Sequence, residues 1–388
     1  MVKSLIRRYC PIAFLFTIAC IDPFSISQQG YEATMVVDGY VTTDLKPQQV
    51  KISRASKVGE QTFIPEQDAT VAITTGKGEK HILSESSPGI YLSSPFAGVI
   101  GEKYTLSFTT AEGVAYQSTD VELRDNPGIS NVYATYSPTF LNGDGGIEIY
   151  VDTEDPSGKT RYYRWEYKET FEIMTPFPSN FVWVGGNDVI FRDQPVGHCW
   201  GQDSSKNVIV KNTVGLAEDK ITKVSIRMIP GYSYIMRIKY SILIRQYALS
   251  QEGYTYWKSL ADVNQSQGTL YDHQPGTVRG NLSSVSNPNE IVLGYFDAGK
   301  VTERRQFYTP SDFSKDGYQS PKFLTSCQFL IPIEIKQFEI GAYMQQNQGK
   351  VLIWEAAGLT PNVVYSIFPN YCCDCTNLGT NKKPSFWP

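Results

Sequence analysis

Apolar and polar residues alternate along most of this chain with a period of two, which marks strands buried on one face. Seven short runs do so between residues 34 and 125: MVVDGYVT, QVKIS, ATVAITT, HILSE, GIYLSS, YTLSFTT and AYQSTDVEL. Turn formers such as TGKGE, SSPG and AEG separate them, the arrangement an immunoglobulin-like β-sandwich needs. RDNPG at 124–128 concentrates turn residues and reads as a boundary. Alternation resumes in SNVYATY, GIEIYVD, YYRWEYKETFEI, FVWVGG, NVIVKN, KVSIRMI and YSILIRQYA, and again near the C-terminus in CQFLIPIEI and KVLIWEA. The expected architecture is therefore mainly β: a sandwich over 34–125, then a second β-sandwich-like domain over 126–388.

One segment breaks the pattern. LSQEGYTYWKSLADVNQ predicts a helix over 250–265, with Ser250 as N-cap, Glu252 in the first turn, and Leu249 and Tyr254 placed as a hydrophobic staple. Tyr254, Trp257, Leu260 and Ala261 share one face, so Trp257 and Leu260 are expected to seal the second core. The strand in IVLGYFDAGKV is expected to return to that same domain. The tail YCCDCTNLGTNKKPSFWP is too short for a core of its own and is expected to pack on the second domain, fastened by cysteine.

The N-terminus carries a different signal. Lys3, Arg7 and Arg8 precede an apolar run, Tyr9 to Ala19, that is too short to span a bilayer as a helix. Residues 1–19 thus read as an export signal. Ala19 followed by Cys20 resembles a bacterial lipobox, with Cys20 the acylated first residue of the mature chain; an ordinary secretory signal with an incidental cysteine is the alternative. Residues 20–33 read as a tether. Asp22 is the only acid directly behind the anchor, so the sequence does not choose between the periplasmic and the cell-surface leaflet.

Removing the three basic residues of the leader takes the formal charge from −4 to −7, which argues against nucleic-acid binding. Tyr163, Trp165 and Tyr167 fall on one strand face and are expected to be core, with a ligand platform as the alternative. Glu166, Glu169 and Glu172 are expected to mark a solvated edge. His198 and Cys199 are adjacent and point to opposite faces of a strand, an arrangement unsuited to a nucleophile and its base. No nucleophile elbow, zinc helix or nucleotide-binding loop is present, and no catalytic residue, metal or cofactor is assigned. Cys199, Cys327, Cys372, Cys373 and Cys375 are read as disulfide formers with one thiol left over, a four-thiolate zinc site being the disfavoured alternative. Tyr271, His273 and Tyr318, in polar loops, are candidates for lining a ligand site.

The phrases DGYVTTDLKPQQVKISRAS, GIYLSSPFAGVIGEKYTL, RYYRWEYKETFEI, HCWGQDSS, YSILIRQYALSQEGYTYWKSL, GNLSSVSNPNEIVLGYFDAGKV and CCDCTNLGTNKKPSFW resemble a lipoprotein family of the Bacteroidota, domain of unknown function 4249. GIYLSSPFAGVIGEKYTLSFTTAEGVAY also resembles transthyretin-like scaffolds. The family resemblance implies an outer-membrane lipoprotein associated with a TonB-dependent receptor. The expected function is accordingly a binding or accessory role in nutrient uptake. A stand-alone glycan- or peptide-binding protein and an envelope hydrolase are the alternatives.

Overall fold

The structure is a computed structural model that describes residues 34–55, 63–140, 143–265, 278–323, 327, 330–359 and 362–388. The expected signal segment, tether and Cys20, together with Tyr271 and His273, lie outside the described residues. The molecule is mainly β, as the alternation predicts.

The first unit opens with β1 (Met35–Val41), β2 (Gln49–Ala55), β3 (Phe63–Pro65), β4 (Thr70–Thr75), β5 (Lys80–Ser87), β6 (Ile90–Ser93), β7 (Lys103–Thr109), β8 (Ala115–Ser118) and β9 (Val121–Glu122). Alternate residues turn inward: Met35, Val37 and Val41 from β1, and Tyr104, Leu106 and Phe108 from β7, meet in one core. The second unit follows with β10 (Ile129–Ser137), β11 (Gly146–Glu154), β12 (Tyr162–Met174), β13 (Phe181–Gly185), β14 (Asp188–Phe191), β15 (His198–Ser204), β16 (Ile209–Asn212), β17 (Lys220–Pro230) and β18 (Tyr240–Ala248). Its longest strand, β12, sends Tyr163, Trp165, Tyr167, Glu169, Phe171 and Ile173 inward. The aromatic triad is therefore core. Glu169 is not on a solvated edge: at 2% side-chain exposure it accepts hydrogen bonds from Arg227 Nε (2.9 Å), Arg227 Nη2 (3.0 Å) and Tyr240 Oη (2.6 Å). An inward position on a strand demands burial, and a carboxylate tolerates it only when paired.

After β18 come the helix α1 (Gln251–Gln265), β19 (Leu282–Ser284), β20 (Val292–Ala298) and β21 (Val301–Tyr308). The Ser250 hydroxyl accepts the Gly253 amide (2.9 Å), so the predicted cap is in place. The expected return of IVLGYFDAGKV to the second unit is corrected in part: β21 does pair with β18, but β20 runs parallel to β1 from Met35↔Val292 to Val41↔Ala298. β19 pairs with β8 at the other end of the same sheet, whose order is β19-β8-β7-β4-β5-β6-β2-β1-β20. The sheet nearly closes on itself, because Asn281 beside β19 bonds both the carbonyl (2.8 Å) and the amide (2.9 Å) of Phe296 in β20. Gly294 lets β20 lie this close to β1: its φ is +95°, and a Cβ there would stand 1.8 Å from the Val37 carbonyl oxygen. The first unit is thus not confined to 34–125, since Val292, Phe296 and Ala298 complete its core.

The C-terminal segment forms β22 (Ile333–Lys336), α2 (Ile340–Gln346), β23 (Val351–Ala357), β24 (Val364–Pro369) and α3 (Asn370–Cys373). These pack with the β13–β14 hairpin around a small core of Ile340, Met344, Ile353, Tyr365 and Ile367. Two disulfides, Cys199–Cys375 and Cys327–Cys372, tie the tail to the second unit, and Cys373 is free and buried.

A fragment of residues 34–125 lacks the two strands that end its sheet, so it should show no cooperative thermal transition; a sharp one would mean that β19 and β20 are dispensable. Peptide mapping without reductant should recover those two disulfides, and reduction should cost about 2–5 kcal/mol in chemical unfolding. Cys373, whose thiol burial pushes up to about 12, should resist alkylation until the chain unfolds.

Candidate functional site

Where the two units meet, the outward faces of two strand pairs confront each other. On the first unit, Asp38 and Tyr40 of β1 point away from the core, and the parallel register sets them opposite Tyr295 and Asp297 of β20. On the second, Arg164 and Glu166 occupy the face of β12 opposite its aromatic triad, with Tyr247 of β18 directly across from Arg164. Helix α1 lies over this junction and contributes Trp257. Together they line a cleft of about 430 Å³.

The arrangement inside is specific. The Arg164 guanidinium stands 4.0 Å from the ring centre of Tyr247 and 4.3 Å from that of Trp257, held between two π faces. Arg164 Nη1 lies 3.4 Å from Glu166 Oε2, and the Tyr247 hydroxyl donates to Glu166 Oε1. Arg245 reaches the same carboxylate at 3.8 Å and binds Glu303 more closely at 2.6 Å. Tyr40 meets Tyr247 edge-on at 5.2 Å, and Tyr256 bridges Trp257 and Tyr295 at 5.1 Å from each.

Asp297 sits at the base, 5% exposed. Its Oδ1 accepts the Ala298 amide (2.9 Å), and its Oδ2 has no partner. Burial raises this carboxyl to about 6, against the opposing pull of the Ala298 amide, Arg164 and Arg124. Asp38 reaches solvent at the cleft mouth, yet the protein crowded around it raises its carboxyl too, with Arg164 and Lys51 pulling down and Glu166 pushing up. Burial also drives the Tyr40 hydroxyl well above its usual range.

Three hollows are larger, of about 630, 600 and 600 Å³, and the first two flank α1. Ten buried polar side-chain atoms lack a partner among the described residues; three of them, Tyr40 Oη, Arg164 Nε and Asp297 Oδ2, belong to cleft residues, against one, Tyr318 Oη, in the larger hollow away from α1 and none in the two beside it. Unpaired buried polar atoms cost about 1–3 kcal/mol each, and functional sites are where folds tolerate that cost. The smaller cleft is the better site.

The expectation that Trp257 and Leu260 seal a core is overturned. Both are half-buried, only Gly253 and Ala261 are fully buried among the described side-chain positions of α1, and Trp257 stacks on a cation in the cleft wall. The helix pattern predicted which face turns inward but not that this face meets a polar junction. Of the acidic trio, Glu166 lines the cleft, Glu169 is core, and Glu172 Oε1 is hydrogen-bonded to His198 Nε2 at 2.7 Å. Cys199 is bound to Cys375. Tyr318 is buried at 6% against Tyr136 (5.2 Å) and Phe313 (6.1 Å), outside the cleft. No group of three or more His, Cys, Asp or Glu among the described residues is placed to hold a metal. Sequence reading missed Asp38, Tyr40, Arg164, Tyr247, Tyr295 and Asp297. The usable signal was two short phrases, DGY and YFD, each placing an acid and a tyrosine two residues apart within an otherwise apolar strand.

Fold and site together define a two-unit, mainly β protein with a polar, aromatic-walled cleft at the junction of its units. A family model described as Domain of unknown function (DUF4249) matches residues 21–305, and the chain belongs to that family. The match takes in both faces of the cleft. No curated protein matches the chain.

The raised Asp297 carboxyl gives a sign that can be checked. Its folded value of about 6 exceeds the ordinary carboxyl value of 3.8, so its ionisation opposes folding, and the penalty grows as pH rises between those values. Asp297→Asn should therefore be more stable than the parent at pH 7.5, by up to about 3 kcal/mol, with the gain vanishing near pH 3.5. Paired urea titrations at several pH values measure it; a gain independent of pH would exclude the buried carboxylate as its cause.

Proposed function

We propose that this protein works by binding, as a lipid-anchored accessory of a TonB-dependent transporter at the outer membrane, taking its ligand in the cleft between the units. The observation that carries the binding role is the cleft itself: three unpartnered buried polar atoms beside aromatic ring faces, on rigid strands rather than loops. The membrane placement rests on the leader, with Lys3, Arg7 and Arg8 before an apolar run ending at Ala19 and Cys20. No helix among the described residues is long and apolar enough to cross a membrane. The transporter association rests on what the family resemblance implies.

Affinity-tagged full-length protein, purified from detergent-solubilised membranes of cells that make it, is expected to bring down a TonB-dependent receptor in near-stoichiometric amount. Cys20→Ala is expected to move the protein from the membrane to the soluble fraction and to remove the receptor from the eluate. A parent protein that elutes monodisperse and alone, yet binds a ligand in the cleft, would replace the accessory role with that of a stand-alone binding protein.

A further inference from the structure

The chemistry of the cleft narrows its ligand, an inference that rests on the cleft being the binding site. Charges on its walls divide into those already neutralised and those that are not. Arg164 and Glu166 pair with each other, and the rings of Tyr247 and Trp257 cover the guanidinium. Lys46 at the rim is bound to Asp44 at 2.7 Å. Asp38 and Asp297 remain, and neither has an ion-pair partner within 4.0 Å among the described residues. Tyr40 and Tyr295 stand beside these two carboxylates, because the parallel register of β1 and β20 sets Asp38 opposite Tyr295 and Tyr40 opposite Asp297. Two unneutralised carboxylates between tyrosine rings attract a cation and repel an anion.

We propose that the cleft binds a single organic cation, an alkylammonium or guanidinium group, between Asp38 and Asp297 and against the rings of Tyr40 and Tyr295. The volume of about 430 Å³ suits one basic side chain or a small free amine. Arg164 shows the preference of these walls from within the protein, since a guanidinium already sits against Tyr247 and Trp257. A neutral polyol would satisfy Asp297 Oδ2 through a hydroxyl but would leave both carboxylates without a counter-charge. An anionic ligand would meet two like charges.

Other charged groups act on the pair without completing it. Arg164 and Arg124 pull on Asp297, Arg164 and Lys51 on Asp38, while Glu166 opposes them. Arg245 is spent on Glu303 and Glu166, and Glu252 of α1 acts on Tyr295. Protonation of Asp297 removes one of the two charges, so cation affinity should fall with acidification through the region near 6.

Isothermal titration of the detergent-solubilised full-length protein tests this. The probes are Nα-acetyl-arginine amide and Nα-acetyl-lysine amide, with the Nα-acetyl amides of citrulline and norleucine as uncharged counterparts and agmatine as a free amine. Saturable one-to-one binding of the cationic probes is expected, with the uncharged counterparts at least about tenfold weaker. The acetylated amides outbinding agmatine would identify a basic peptide as the source, and the reverse a free amine; either order supports the cation. Asp38→Asn and Asp297→Asn should each weaken binding about tenfold, and the parent should bind about tenfold more weakly at pH 5 than at pH 7.5. Asp38 is solvent-exposed, so its variant keeps the test intact should Asp297→Asn unfold, as judged by circular dichroism. Equal binding of charged and uncharged probes, no saturable binding of any cation, or unchanged affinity in folded Asp38→Asn overturns the proposal. Binding of a neutral sugar that Trp257→Ala abolishes, with no cation bound, would overturn the ligand class while leaving the cleft as the binding site.

Discussion

Asn126 and Gln246 hold the two units in register, and the cleft exists because they do. Gln246, fully buried in β18, receives the Trp165 indole N–H (2.8 Å) and donates to Asn126 Oδ1 (3.1 Å), the Pro127 carbonyl (3.1 Å) and the Thr153 hydroxyl (3.0 Å). Asn126 answers with bonds to the backbone carbonyls of Gln246 (2.5 Å) and Lys300 (3.0 Å). Gln246, Asn126, Trp165 and Thr153 are all buried, so breaking a bond among them strands its partner at a cost of about 1–3 kcal/mol. The peptide between the units is thereby bolted to the strand that carries Tyr247, the residue directly across from Arg164 of β12.

That constraint explains why the junction is polar. A sheet face that ended in bulk water would carry scattered charges, and one that ended in a core would carry none. Here the outer face of the first sheet is pressed close to the outer face of the second without a full apolar seal. Asp297 is dried beside Tyr295 and beneath the first turn of α1, yet it keeps the carboxylate of a surface residue. Gly253 supports the fit, since a Cβ there would come within 3.4 Å of Asp297 Oδ2.

Much of the architecture was legible from local alternation. The inward positions of β1, β7 and β12 follow from periodicity two, and the Ser250 cap follows from helix-end chemistry. The cleft was not legible, because it is made of outward positions, and alternation assigns those to solvent by default. Only long-range pairing decides which outward faces are later covered, and the parallel match of β1 with β20 joins residues separated by an entire structural unit. The same long-range order hid the role of Trp257. RDNPG read as a turn-rich link because its residues favour turns; that Asn126 is 2% exposed and fully bonded depends on Gln246, which lies far along the chain. The disulfide partners were likewise unreadable from spacing, since pairing is set by where β15 and the tail meet.

The chain passes from the first unit to the second at Arg124 and, after β19 and β20 have completed the near-closed sheet, passes out again at Gly299. Those two crossings run side by side: the Lys300 amide bonds the Arg124 carbonyl at 2.9 Å, and Gly299 bonds Val41 at 2.9 Å. A single connecting strand would act as a swivel, whereas two hydrogen-bonded strands resist torsion. The second unit is thus joined to the first by two adjacent parallel crossings, and rotation of one unit against the other would shear the Arg124–Lys300 pair. A ligand entering the cleft therefore meets walls already spaced for it and forfeits little orientational freedom of the protein on binding.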